Sequence, residues 1–243
     1  MPDPILGHRA RIGYTSPPLT AEVFPYEFYR IVPDGVTLII TTLAVSELSR
    51  SEIEASYDRS LAAARAMVAA GADAVVFGGV PVNLSRGEQD PAAIAVALSA
   101  ELKVPVSTSA SAQAKAIKTL GCRKVVIAHA YDDGQSMRQA GYAAKFGCEV
   151  LAVKGWGAAL PMFGGVPRDA ALDMGRTLLS AHRDADAILL PSPHWPTIAA
   201  IEPLEREFGV NVVSASQAAI WDGLRIAGVT DRIAGYGRLL REF

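Results

Sequence analysis

The sequence contains two copies of one strand-like pattern, and this duplication limits the possible folds more than any other feature. Ala72-Asp73-Ala74-Val75-Val76-Phe77 reads like Ala185-Asp186-Ala187-Ile188-Leu189-Leu190, 113 positions later. Arg11-Ile12 and Lys124-Val125, each at the start of an apolar run, are also 113 positions apart. Chance similarity between strands rich in Ala and Val is the alternative interpretation. The shared order and spacing favour two similar halves.

A third pair extends the duplication: Val106-Ser107-Thr108-Ser109 resembles Val213-Ser214-Ala215-Ser216, 107 positions later. Eight short β-rich runs alternate along the chain with longer segments rich in Ala, Leu, Arg and Glu. This alternation is typical of βαβ units. We predict an α/β fold of two pseudo-symmetric Rossmann-like lobes, each a mainly parallel four-stranded sheet flanked by helices. Residues 7–110 plus 217–243 form the first lobe in this prediction, and residues 111–216 form the second.

Composition argues against several functional classes. The net charge is −2, from 23 basic and 25 acidic residues, and no basic run occurs, so we expect no nucleic-acid partner. The first residues lack a signal-peptide pattern, and no run is apolar enough for a membrane span. Cys122 and Cys148 lie outside any CxxC pattern, which predicts a cytoplasmic protein without a disulfide framework. We expect a monomer or a small homo-oligomer.

The predicted lobes place four strand ends around one cleft, because parallel α/β sheets bind ligands beyond the carboxyl ends of their strands. The offset of 113 sets Gly79 opposite Ser192, and Pro18 opposite Tyr131. The four ends are Ser16-Pro17-Pro18, Gly78-Gly79-Val80-Pro81, His129-Ala130-Tyr131 and Ser192-Pro193-His194. We therefore predict an active-site cleft between the lobes.

Two histidines accompany these strand ends. His194 follows Ser192 by two residues and has a pKa range suited to proton transfer. It could protonate a carbanion, activate Ser192 or a water, bind a carboxylate, or simply be an exposed loop residue. His129 could join the cleft or be a hydrogen-bonded core residue. No carboxylate lies at a ligand spacing from them, so we expect no metal.

At these residues the sequence resembles the aspartate/glutamate racemase superfamily, and within it the branch of arylmalonate decarboxylases and maleate isomerases. The resemblance covers nearly the whole chain. The pieces that carry it are Ile12-Gly13 with Pro17-Pro18, Arg86-Gly87, Ala130-Tyr131, Ala187-Ile188-Leu189-Leu190, Val212-Val213-Ser214 with Ala218 and Trp221-Asp222, and Gly235-Tyr236-Gly237-Arg238-Leu239. The last piece is especially similar to arylmalonate decarboxylases.

The resemblance implies a particular pair of catalytic positions. Racemases of this superfamily carry a cysteine at both, whereas arylmalonate decarboxylases have glycine at the first and cysteine at the second. This chain has Gly79 at the first position, as in the decarboxylases, and Ser192 at the second. A serine hydroxyl is a far weaker acid than a thiol, so cysteine-type racemisation and thiolate addition to maleate are not expected.

The resemblance also implies a dioxyanion hole, in which donors hold the remaining carboxylate and stabilise an enediolate. Gly79 and Val80 match the hole, although Pro81 lacks a backbone donor. Tyr131 is retained as a donor, and Asn83, Ser85 or Ser16 could replace missing ones. Pro17, Pro18, Pro193 and His129 complete the predicted substrate-binding set.

The leading hypothesis from the sequence is a cofactor-independent lyase similar to arylmalonate decarboxylase. It would act on a small carboxylate or dicarboxylate through an enediolate-type intermediate, with Ser192, His194 and Tyr131 as catalytic residues. The alternatives are a hydrolase or hydratase that uses Ser192 and His194, an enzyme similar to maleate cis-trans isomerase, and a non-catalytic carboxylate-binding protein.

Overall fold

The structure is a computed structural model that describes residues 6–46, 49–87 and 90–243, the side chains of residues 160 and 161 excepted. Contacts divide the chain into two compact units. The first unit contains residues 1–21, 28–112 and 219–231, and the second contains residues 22–27, 113–218 and 232–243.

Each unit contains one four-stranded, all-parallel sheet, as the sequence predicts. In the first unit the order is β2-β1-β3-β4, and in the second it is β6-β5-β7-β8. The strands are β1 (Ala10–Pro18), β2 (Val36–Val45), β3 (Ala74–Phe77), β4 (Val106–Thr108), β5 (Lys124–His129), β6 (Glu149–Gly155), β7 (Ala187–Leu190) and β8 (Asn211–Ser214). The same order in both sheets supports the duplication that the sequence indicates.

The strand register repeats as well. Ile12 pairs with Ala74 between β1 and β3, and Val125 pairs with Ala187 between β5 and β7. Both partners in the second pair lie 113 positions after those in the first. Every residue of β3 and β7 is buried, which explains their uninterrupted apolar sequence, since strands covered on both faces need no polar side.

Helices follow or precede each strand. They are α1 (Val23–Ile31), α2 (Arg50–Ala69), α3 (Val80–Asn83), α4 (Pro91–Leu102), α5 (Ser109–Leu120), α6 (Ser136–Lys145), α7 (Ala170–Ala181), α8 (Ile198–Phe208), α9 (Ala215–Ile226) and α10 (Arg238–Glu242). The side chain of Ser49 caps α2 by accepting a hydrogen bond from the Glu52 N–H.

The division of the chain differs from the predicted lobes at residues 22–27, which belong to the second unit, and at the carboxyl-terminal segment. Residues 232–243 pack with the second unit, whereas the sequence assigned all of 217–243 to the first. The backbone N–H of Arg238 donates to Glu205 at 3.0 Å, and the Gln217 amide donates to the Tyr236 carbonyl at 2.7 Å. Leu239 and Leu240 are fully buried. These contacts attach the segment to α8 and to the start of α9.

Candidate active site

Ser192 lies two residues beyond the end of β7 and is fully buried. The backbone turns here, because the Trp195 N–H donates to the Ser192 carbonyl at 3.3 Å. The Ser192 Oγ accepts a hydrogen bond of 3.4 Å from the Ala130 N–H, which follows β5. Since β5 and β7 are parallel neighbours, their carboxyl ends bring Ser192 and Ala130 together.

Tyr131 completes this group. Burial raises the pKa of Tyr131 to about 12, and an interaction with the Ser192 side chain acts in the opposite direction. The ring contacts Phe163 edge-on, with centroids 4.7 Å apart and planes at 74°. At neutral pH the phenol is therefore protonated and fixed in position.

The segment after β6 is attached to the same strand end by three backbone hydrogen bonds. The N–H groups of Trp156, Gly157 and Ala158 donate to the carbonyls of His129, Tyr131 and Ala130, at 2.8, 3.0 and 2.9 Å respectively. Further along this segment, Phe163 is buried. The bonds hold the backbone on both sides of Ala130, whose N–H reaches Ser192.

His194 follows Pro193 in the buried segment after β7 and is 8% exposed. Burial lowers its pKa to about 4, because desolvation penalises the charged imidazolium. The ring is therefore uncharged at neutral pH. A base with so low a pKa accepts protons weakly there, which limits the acid and base roles that the sequence suggested for it.

His129 matches the second of its two interpretations. It is fully buried at the end of β5, and its Nε2 lies 3.1 Å from the Ser136 Oγ at the start of α6. Burial lowers its pKa, and the nearby Asp133 carboxylate opposes that effect. The structure thus shows a hydrogen-bonded core histidine. Its predicted contact with a substrate stays a prediction.

In the first unit, Gly79 occupies a position that only glycine adopts easily. Its φ is +80°, and a Cβ built on it would lie 2.6 Å from the Pro17 Cγ. Its N–H donates to the Ser109 Oγ at 3.1 Å. The turn therefore brings Gly79 close to the end of β1, where Pro17 and Pro18 lie, and Val80 then begins α3.

Asn83 is committed to the fold rather than open to a ligand. Its amide nitrogen donates to the carbonyls of Phe77 and Gly78 at 3.3 and 3.4 Å, and its amide oxygen accepts from the Ala110 N–H at 3.2 Å. The side chain is buried. Ser85 likewise donates to the Val82 carbonyl at 2.8 Å. The suggestion that these residues replace missing oxyanion donors receives no support from this geometry.

Sequence reasoning overlooked Glu27. Its carboxylate is 1% exposed and accepts hydrogen bonds from the backbone of Thr197 and Ile198, at the start of α8. The available signal was a single acid inside the aromatic run Val23-Phe24-Pro25-Tyr26-Glu27-Phe28. The run was not recognised as a helix.

Two features are absent from the part of the chain that the structure describes. Over residues 6–46, 49–87 and 90–243, no three His, Cys, Asp or Glu side chains form a group able to hold a metal ion. No helix within these ranges combines the length and the apolar character needed to cross a membrane.

Comparison with known proteins identifies the family. The family model described as arylmalonate decarboxylase matches residues 12–240. The arylmalonate decarboxylase of Bordetella bronchiseptica is 31% identical over 237 residues, which are 95% of this chain and 96% of that enzyme. The chain belongs to the arylmalonate decarboxylase family. The resemblance found in the sequence is thereby confirmed.

Solved structures agree with membership of the arylmalonate decarboxylase family. A liganded arylmalonate decarboxylase with one glycine changed to cysteine and one cysteine changed to serine superposes with a TM-score of 0.87. It is 30% identical, and the match covers 96% of this chain and 100% of that one. A maleate isomerase from Pseudomonas putida S16 has a TM-score of 0.85 at 20% identity, with 96% and 98% covered. At that identity the likeness shows the fold alone.

Proposed function

We propose that this chain decarboxylates a small malonate-type dicarboxylate without a cofactor. Membership of the arylmalonate decarboxylase family supports the reaction class. The observation that carries the residue assignment is the hydrogen bond from the Ala130 N–H to the Ser192 Oγ, which joins the ends of β5 and β7 beside Tyr131.

In the first proposed step the bond between the α-carbon and the departing carboxylate breaks. The electron pair moves into the remaining carboxylate and forms an enediolate, and carbon dioxide leaves. Hydrogen-bond donors that meet the new negative charge lower the barrier. Tyr131 suits this role, since its raised pKa keeps the phenol protonated at neutral pH.

In the second step the α-carbon takes a proton from the Ser192 hydroxyl. The serine alkoxide that remains is stabilised by the Ala130 N–H, which already donates to the Ser192 Oγ, and by the Tyr131 hydroxyl. The alkoxide then recovers a proton from water. Uncharged His194, in the same buried segment, contributes hydrogen bonding rather than an imidazolium proton.

Pro17, Pro18, Gly79 and Val80, in the first unit, stay predictions from the sequence. Pro193 remains a candidate for lining the substrate beside Ser192. Asn83 is left out of the proposed binding set, because its amide already bonds three backbone groups.

Two alternatives have less support. A hydrolase or hydratase would use His194 as general base, and a pKa of about 4 makes it a weak one at neutral pH. An isomerase of the maleate type would need a thiolate. Cys122 and Cys148 precede β5 and β6, at the opposite strand ends from Ser192, and burial raises the pKa of both thiols.

The test is incubation of the purified protein in D2O with arylmalonates, alkylmalonates and maleate, followed by NMR. We expect carbon dioxide release from a malonate and a new C–D bond at the α-carbon. Ser192→Ala should strongly slow carbon dioxide release and C–D bond formation together, whereas Ser180→Ala, at an exposed position on α7, is the matched control.

Ser192→Cys should raise the rate, because a thiol near pKa 8.5 is a better proton donor. Absence of turnover with every malonate, by wild type and by the Ser192→Cys variant, would overturn the proposed reaction. Ligand-induced shifts without turnover would instead indicate a carboxylate-binding protein.

A further inference from the structure

Glu27 is a buried carboxylate that the proposed steps do not use. It lies on α1 within the second unit and is 1% exposed. Its Oε1 accepts hydrogen bonds from the backbone N–H groups of Thr197 at 2.7 Å and Ile198 at 3.0 Å. Its Oε2 bonds the Ser216 hydroxyl and lies 3.5 Å from the Thr197 hydroxyl. Two elements far apart in sequence therefore meet at one carboxylate.

The hydroxyls around Glu27 form a connected group. The Thr197 and Ser214 hydroxyls are 2.8 Å apart, and those of Ser214 and Ser216 are 3.0 Å apart. All three residues are buried, and none of these donors carries a charge. Burying a carboxylate among neutral groups is costly unless its oxygens are well hydrogen-bonded. Burial accordingly raises the pKa of Glu27, while the hydrogen bonds lower it.

The hydrogen bonds of Glu27 hold one end of a short segment between β7 and α8. Residues 191–197 connect β7 to α8 and carry Ser192 and His194. The near end is held by β7 and by the bond from the Ala130 N–H to Ser192. At the far end, the Thr197 side chain makes no capping bond to α8. The Glu27 carboxylate instead accepts hydrogen bonds from the N–H groups of Thr197, the N-cap residue, and of Ile198, the first residue of α8. Glu27 thus supplies the cap from a different element.

We propose that Glu27 is a positioning residue, which fixes the 191–197 segment so that Ser192 and His194 keep their orientation. The catalytic consequence rests on the proposed decarboxylase function. Glu27 touches no reacting atom in this proposal and acts only through Thr197, Ile198 and Ser216. Small displacements of a reacting group reduce the rate strongly, so loss of the carboxylate should lower kcat more than it raises KM.

Two substitutions separate the expected effects. Glu27→Gln keeps an oxygen that can accept both backbone N–H groups, and its amide nitrogen can donate to the Ser216 hydroxyl. Glu27→Ala leaves the same N–H groups without their acceptor. Glu207→Ala, at an exposed position on α8, is the matched control. Ser216→Ala, which removes only one hydrogen-bond donor, takes the place of Glu27→Ala if that variant does not fold.

The kinetic test measures kcat and KM for malonate decarboxylation in variants shown by circular dichroism to be folded. We expect Glu27→Ala to lower kcat by about tenfold or more with KM nearly unchanged, and Glu27→Gln to recover most of the loss. Ser216→Ala should shift kcat in the same direction by less. A folded Glu27→Ala protein with wild-type kcat would overturn the proposal.

An NMR readout does not depend on activity. In Glu27→Ala, or in Ser216→Ala if the former does not fold, the amide signals of Ser192 and His194 and the His194 ring signals should shift. In Glu207→Ala they should stay in place. Changes confined to Thr197, Ile198 and the substituted site would refute positioning. A wild-type protein that decarboxylates no malonate refutes the proposed function, and this readout then decides the role of Glu27 by itself.

Discussion

The Asp73 carboxylate accepts a hydrogen bond from the backbone N–H of Arg11 at 2.8 Å, and the Asp73 N–H donates to the Arg11 carbonyl at 2.8 Å. The same exchange occurs in the second unit. The Asp186 carboxylate accepts from the Lys124 N–H at 3.1 Å, and the Asp186 N–H donates to the Lys124 carbonyl at 2.8 Å. Each pair joins the start of a central strand, β1 or β5, to the residue that precedes the neighbouring parallel strand, β3 or β7.

Removing either carboxylate should destabilise the protein. We expect Asp73→Ala to lower the free energy of unfolding by about 1–2 kcal/mol, since each carboxylate accepts a charge-assisted bond. Asp186→Ala should cost more, because Asp186 also accepts from the Arg123 N–H at 2.9 Å. Urea unfolding measures both values. An equal or smaller loss at Asp186 would contradict the ranking.

Tyr131→Phe should separate catalysis from stability. The variant loses the hydroxyl that interacts with the Ser192 side chain but keeps the ring that contacts Phe163. We expect kcat to fall by about 10²-fold, as for other lost oxyanion donors, with little change in unfolding free energy. Tyr236→Phe, at a half-buried position of the second unit, should have wild-type kcat. Wild-type kcat in Tyr131→Phe would remove Tyr131 from the proposed steps.

The buried His194 should make stability depend on pH. Its pKa is about 4 in the folded chain, against an ordinary value of 6.5, so the unfolded chain binds more protons between these values. Stability is therefore fully present above pH 6.5 and is lost as the pH falls toward 4. The loss from this group is at most about 1.4 kcal/mol per pH unit. Urea unfolding of His194→Gln should show a shallower pH dependence than wild type, and an unchanged slope would contradict the assignment.

Both cysteines should resist alkylation in the folded protein. Burial raises the pKa of Cys122 to about 12 and that of Cys148 to about 11, and the thiolate is the reactive form. Iodoacetamide at pH 8 should modify neither thiol in native protein and both after urea unfolding, as mass spectrometry would show. Fast modification of the native protein would contradict this prediction, because it would show that one thiol is exposed and reactive.

Asn83→Ala should be among the more destabilising substitutions in the first unit. It removes two donated bonds and one accepted bond in a buried site, and the unfolding free energy should fall by about 2–3 kcal/mol. Ser85→Ala removes a single bond to Val82 and should cost less. Similar losses for the two variants would mean that the three Asn83 bonds add little.

The fold could be predicted where apolar strands repeat. β3 and β7 lie within the two copies of the duplicated pattern and end where it ends, because both strands are uniformly apolar. α1 was not predicted from the sequence. Proline in the first turn of a helix costs no hydrogen bond, and Pro25 is the third residue of α1.

The site could be predicted only in part. The strand-end rule indicated Ser192 and Tyr131, and the structure places both side chains where β5 and β7 end side by side. Asn83 was expected to face a substrate, but its partners are backbone atoms whose positions depend on the turn at Gly78. Glu27 had no readable partner in the sequence, since its donors lie 170 to 189 positions away.

The division of the chain also bears on its synthesis. The first unit requires residues 219–231, and the second requires both 22–27 and 232–243. At about 5–20 residues per second, Glu27 leaves the ribosome roughly 10–40 s before Ser216, its hydrogen-bond donor 189 positions later. Its carboxylate therefore stays hydrated while most of the chain is made. Neither unit can finish folding co-translationally before translation has passed residue 231.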